Sequence, residues 1–209
     1  LERGVRVRTL TGHPDRRAGT DPFGGRVEAA GLGCAAWRVV PVDATVCGDE
    51  ALASMPRIEQ IFVEPGDDMD LAEFERRLFV VRRRTESALA DTEASFYVAS
   101  LSCRTLSYKA MVMPAHLAQF YPDLADERLM THICMFHQRF STNTWPQWRL
   151  AQPFRLLAHN GEINTIRGNR NWAVARGPLL RTDALPELGD LTPLVSMDGS
   201  DSSSLDNML

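Results

Sequence analysis

The chain has 209 residues, 44% of them apolar and 24% charged, with a net charge of −4 at neutral pH. That length and balance suit one ordinary globular domain with a single sizeable core and exclude a largely disordered chain. They also exclude a global basic field of the kind that holds nucleic acid, and no apolar run is long enough to span a bilayer.

The opening stretch, LERGVRVRTLTGHPDRRAGTD, is polar and Arg-rich. It lacks the apolar middle of a secretory signal, and Asp15 and Asp21 argue against an organelle transit peptide. A chain that starts at Leu1 reads as a piece of something longer. Residues 1–33, rich in Gly, Arg and Asp, predict loop. Residues 37–42 predict a short strand that Pro41 confines to an edge or ends early. Residues 59–63 predict the next strand. Between residues 70 and 90, Leu71, Phe74, Leu78, Val81 and Leu89 recur at helical spacing. Arg76, Arg77, Arg82, Arg83 and Arg84 lie mostly off that face and predict a solvated helix surface. Alternation predicts four more strands, at 96–101, 106–113, 132–140 and 154–159. Residues 114–121 predict a short helix with a Pro start, and 165–176 a helix that Gly177-Pro178 stops. Ser200 or Asp201 can cap a last helix that runs to Leu209. A strand-rich centre with separate helices fits α+β layering.

Cys34, Cys47, Cys103 and Cys134 form neither a disulfide framework nor a zinc ribbon, which makes a reducing, cytoplasmic setting the default. Cys103 and Cys134 sit in apolar, strand-like runs and are expected to be inert buried thiols. His132, Cys134 and His137 would point to alternating faces of one strand, so no metal site is expected.

Three segments carry candidate chemistry. In the first, residues 137–144, Arg139 ends an apolar run and is followed by hydroxyl and amide residues. A guanidinium there can grip a carboxylate through two parallel hydrogen bonds, although a surface arginine at a strand end fits the same pattern. The second, residues 157–165, contains Asn160-Gly161, which by itself reads first as a hairpin turn. Its functional reading is an oxyanion hole, with the Asn160 amide and an open Gly161 N–H as two donors. The third, residues 198–204, offers Asp201 as a partner for an α-ammonium group, or merely a helix cap. Together they suggest amino-acid recognition with oxyanion stabilisation, and no nucleophile.

The wording of these segments adds a resemblance. FHQRFSTNTWPQWRLAQPFRLLAHNGEINTIRGNRNW, residues 136–172, resembles the class II glutamine amidotransferase domain of glutamate synthase large subunits. SMPRIEQIFVEP, FYVASLSCRTLSYKAMVMP, FYPDLAD and GSDSSSLDNML are similar to that family too, in the same order. The resemblance implies an N-terminal nucleophile hydrolase-type αββα sandwich, incomplete at both ends. It divides the chain into a loop-rich segment, 1–33, and a partial amidotransferase domain, 34–209. It implies hydrolysis of L-glutamine by a chain-initial cysteine whose α-amino group is the general base. The ammonia would aminate 2-oxoglutarate at a synthase site with FMN and an iron–sulfur cluster, elsewhere in the same polypeptide. No cofactor is expected in this segment. The implied partners are glutamine, the other synthase domains and a small reductase subunit, with neither nucleic acid nor membrane.

Carried over by motif, Arg139 would bind the glutamine α-carboxylate, with Phe140 and Thr142 lining the pocket. Asn143 stands where relatives often carry His. Asn160 and Gly161 would form the oxyanion hole, and Asp201 would hold the α-amino group. The family's Cys-Gly opening is absent, and Cys34 is internal, without a free amine beside it. The fragment alone is therefore expected to be inactive, with an unpaired sheet edge and poor solubility. The alternative is a nucleophile-less pseudo-amidotransferase that binds glutamine or only packs against a partner.

Overall fold

The computed structural model describes the backbone of residues 5–11, then residue 23 and residues 25–92, 96–142 and 144–209. Its centre is one antiparallel four-stranded sheet in the order β2-β3-β1-β4. The first strand, β1 (Val5–Thr11), lies inside the sheet, with Val5 opposite Val63 and Val7 opposite Leu101. This corrects the loop expected over residues 1–33, which also contains a short helix, α1 (Arg26–Ala29). Beyond it, β2 (Gly33–Val39) starts earlier than expected and stops ahead of Pro41. A short helix α2 (Asp49–Ala53) then leads into β3 (Arg57–Glu64), which covers the predicted run at 59–63.

Helix α3 (Leu71–Leu89) forms where the apolar spacing places it. Its N-cap Asp70 accepts the Glu73 N–H at 2.7 Å, satisfying one of the free donors of the first turn. Phe74, Leu78 and Val81 are buried with Phe23, Val27 and Leu32, against Ile61 and Val63 of β3 and Val98 of β4 (Tyr97–Leu101). Leu71, expected on the same face, is 67% exposed. The arginine run is not uniformly solvated either. Arg82 is buried and donates to Glu86 at 2.9 Å, and Arg83 donates to the carbonyls of Leu191 and Pro193.

A second core lies on the side chains that alternate to the other face, Ile58 of β3 and Ala99 of β4. It is built on Phe120 at the end of α4 (Leu117–Phe120), with Tyr121 and Trp148. Phe120 meets Tyr121 edge-on at 4.5 Å between ring centroids, a favourable quadrupole geometry. The two polar tips are satisfied: Trp148 Nε1 donates to Ala51 O and Tyr121 OH to Lys109 O.

The runs 106–113, 132–140 and 154–159 are not strands, which corrects three expectations. A strand exists only as a member of a ladder, and these runs belong to no ladder among the described residues. The described residues thus contain one sheet and mixed helix–strand content. Cys134 falls in one of these runs and is exposed, not buried as expected. Helix α5 (Ile166–Arg176) ends at Gly177 as predicted, and α6 (Asp201–Asp206) starts from the cap Ser200. Among the described residues no helix is long and apolar enough to cross a membrane.

Candidate functional site

The three segments picked out by their chemistry converge on Gly161. Its backbone sits at φ +79°, a left-handed conformation that glycine adopts without strain. A Cβ there would fall 2.4 Å from Ser141 Cβ and 2.7 Å from Asp201 Oδ1. Residues from the first and third segments therefore crowd the one glycine of the second.

Hydrogen bonds hold this junction. Thr142 N donates to Asn160 O at 2.7 Å. Asp201 Oδ2 accepts Ile163 N–H at 2.8 Å, and Oδ1 accepts its neighbour Ser202 N–H at 2.6 Å. The buried amide of Gln152 clamps the turn. Its Oε1 accepts His159 N–H at 2.7 Å, and its Nε2 donates to His159 O at 2.6 Å and lies 3.3 Å from Ser141 Oγ. The cap Ser200 accepts Ser203 N–H at 3.0 Å and starts α6 beside the turn.

A cleft of about 510 Å³ opens here, lined among others by Thr142, Gly161, Ile163, Arg170 and Asp201. That volume lies in the range of small-molecule pockets. Arg170, on α5, donates from Nε to Ser204 Oγ at 2.9 Å and from Nη2 to Gly199 O at 2.9 Å.

Of the predicted site residues, Thr142, Gly161 and Asp201 line the cleft; Arg139 and Phe140 do not. Arg139 is exposed and Phe140 partly buried. Asn160 is exposed beside the cleft, its Oδ1 3.0 Å from His137 Nε2. Asn143 lies outside the described residues. The Gly161 N–H donates to His159 Nδ1 at 3.0 Å. No cysteine lines the cleft. Cys103 Sγ meets Glu75 Oε2 at 3.0 Å, and burial, aided by that carboxylate, pushes its thiol up to about 11.

Sequence reasoning missed Arg170 and Gln152, and it weighed His137 only as a metal ligand. For Arg170 a signal existed, since it stands one helical turn after Ile166 and shares its face. A buried Gln bonded to backbone seven residues away leaves no such periodic trace.

Comparison with known proteins places this geometry. The chain matches the family described as Glutamine amidotransferases class-II over residues 9–209. It belongs to that family. Members are of the N-terminal nucleophile hydrolase type. The chain is also 45% identical, over 82% of its length, to the glutamate synthase (NADPH) large chain of Azospirillum brasilense. It is 44% identical over 83% to the glutamate synthase (NADH) of Saccharomyces cerevisiae. It is 46% identical over 83% to ferredoxin-dependent glutamate synthase 2 of Synechocystis. The chain spans 12%, 8% and 11% of those relatives. Relatives named for three electron donors match it about equally well.

Proposed function

We propose that the chain is the glutamine-hydrolysing part of a glutamate synthase large subunit, the source of ammonia for converting 2-oxoglutarate to L-glutamate. The observation that carries this reading is the convergence of Thr142, Gly161 and Asp201 on one cleft, with Ser141 packed behind the glycine. A left-handed glycine between a hydroxyl-rich segment and a carboxylate suits an amino-acid amide with an oxyanion forming beside it. The αββα sandwich belongs to the same proposal, with β2-β3-β1-β4 as one of its two sheets.

In this reading Arg139 binds the α-carboxylate and Asp201 the α-ammonium, with Phe140, Thr142 and Asn143 beside them. Asp201 already accepts two backbone N–H groups, and a carboxylate has further lone pairs for an ammonium. The nucleophile is an N-terminal cysteine that residues 1–209 do not contain. Its thiolate attacks the side-chain amide carbon, and Asn160 and the Gly161 N–H stabilise the resulting oxyanion. The Gly161 N–H serves there only after leaving His159 Nδ1. The oxyanion collapses, the C–N bond breaks, and ammonia departs with a proton from the cysteine's α-ammonium group. Water then hydrolyses the thioester to glutamate and free thiol. FMN and the iron–sulfur cluster, which supply the reducing chemistry, belong to other parts of the polypeptide. The described residues hold no group of three His, Cys, Asp or Glu able to seat a metal. The implied partners are the remaining synthase domains and a small reductase subunit, in the cytoplasm.

The test is peptide mass spectrometry of the native full-length protein after treatment with a glutamine-mimicking electrophile. One adduct on an N-terminal cysteine outside residues 1–209 supports a glutaminase. No adduct would leave a glutamine pocket without a nucleophile, and the pseudo-amidotransferase reading would replace this one.

A further inference from the structure

We infer that His137 is a positioning residue that fixes the direction of the Asn160 amide and so keeps its N–H donors turned toward the reacting oxygen. The inference rests on the oxyanion role proposed for Asn160. An Asn side chain is ambiguous: turned one way it presents a donor, turned the other an acceptor. A carbonyl aimed at a developing oxyanion would repel it, so the site needs a device that selects one orientation.

The hydrogen bonds around His137 supply that device. His137 Nδ1 accepts the backbone N–H of Arg139 at 3.1 Å. A nitrogen that accepts an N–H carries no proton, so the neutral ring keeps its proton on Nε2. Nε2 lies 3.0 Å from Asn160 Oδ1 and therefore donates to it. With Oδ1 held, Nδ2 is the end left to donate elsewhere. A flipped amide would set an N–H against the imidazole N–H, two donors facing each other. Independently, Asn160 O accepts both Thr142 N–H, at 2.7 Å, and Thr142 Oγ1, at 3.2 Å. The Asn160 backbone is thus fixed by the segment that carries His137, which leaves the amide torsion as the freedom His137 removes. The same relay starts at the backbone of Arg139, the proposed carboxylate receptor. The ring is partly exposed, and it makes these two polar contacts across 2 and 23 residues of sequence.

The experiment measures kcat and KM for glutamine hydrolysis by the native full-length protein and four variants: His137→Ala, His137→Gln, Asn160→Ala and the double His137→Ala/Asn160→Ala. Losing one orienting hydrogen bond lowers kcat on the order of tenfold, with KM changed by no more than about twofold. Gln keeps a terminal N–H₂ at the reach of Nε2, so His137→Gln recovers most of the rate. The double variant is no slower than Asn160→Ala alone, because His137 acts only through that amide. An additive double variant, a His137→Ala defect confined to KM, or a Gln variant no better than Ala would overturn the inference. Unchanged kcat in Asn160→Ala would instead overturn the oxyanion reading beneath it, and the single variant separates the two failures.

Discussion

Lys109 provides the sharpest test of the packing described here. It is 4% exposed, and its Nζ donates to Arg149 O at 2.7 Å. The ammonium also sits over the rings of Tyr97 and Phe154, at 5.4 and 5.1 Å. Burial pulls its pKa from 10.5 to about 7, and Arg155 adds to the fall while Asp206 opposes it. The folded pKa therefore lies below the unfolded one. Between pH 7 and 10.5 the unfolded chain binds a proton that the folded chain lacks, so stability rises with pH across that window. Below about pH 7 the full cost of the buried charge is present. The whole displacement corresponds to about 5 kcal/mol as an upper limit, at about 1.4 kcal/mol per pH unit.

The perturbation is Lys109→Met, which keeps length and apolar stem and removes the titrating group. It also removes the bond to Arg149 O, a loss of about 1 kcal/mol that is the same at every pH. The assay is urea unfolding followed by tryptophan fluorescence, at low micromolar concentration to suppress association. Between pH 7.5 and 9 the wild type should gain about 2 kcal/mol on the Met variant. The thiols of Cys47 and Cys103, both raised by burial, give an opposite slope, but they do so in both proteins and cancel in the difference. A difference constant within about 0.5 kcal/mol over that range would refute the reasoning, because a lysine that titrates alike in both states is not buried.

Two further outcomes follow from the same structure. Gly161→Ala should cost at least about 2 kcal/mol in urea unfolding, since its Cβ meets Ser141 and Asp201 at φ +79°, whereas Gly168→Ala, inside α5 with nothing within 4 Å, should stabilise by about 0.5–1 kcal/mol. Equal effects at the two sites would mean that the three segments do not meet at Gly161. At pH 8, N-ethylmaleimide should alkylate the exposed Cys134 at least about tenfold faster than Cys103, whose thiol burial and Glu75 hold in the protonated form. Equal rates by peptide mass spectrometry would contradict the Glu75 contact.

What the residues revealed depended on whether the signal was local. Helix α3 announced itself because its apolar stripe is a property of one contiguous segment, and α6 did so through Ser200. Strands are pairwise objects. Alternation at 106–113 and 132–140 shows which side chains could share a face, but not whether the backbone joins a ladder, and among the described residues these runs join none. The reverse error occurred at β1, where VRVRTLT does alternate but sits in an Arg- and Gly-rich stretch that reads as loop. Its place between β3 and β4 comes from long-range pairing, which composition does not report. The site divides the same way. The chemical alphabet around Asn160-Gly161 and Asp201 was visible, but their approach to Ser141 is a property of three segments folded together. His137 shows why such roles escape a linear reading. Its Nδ1 bond reaches only two residues and fixes the tautomer, while its Nε2 bond spans 23 residues and uses it. The first contact is unremarkable without the second, and only the fold brings the second about.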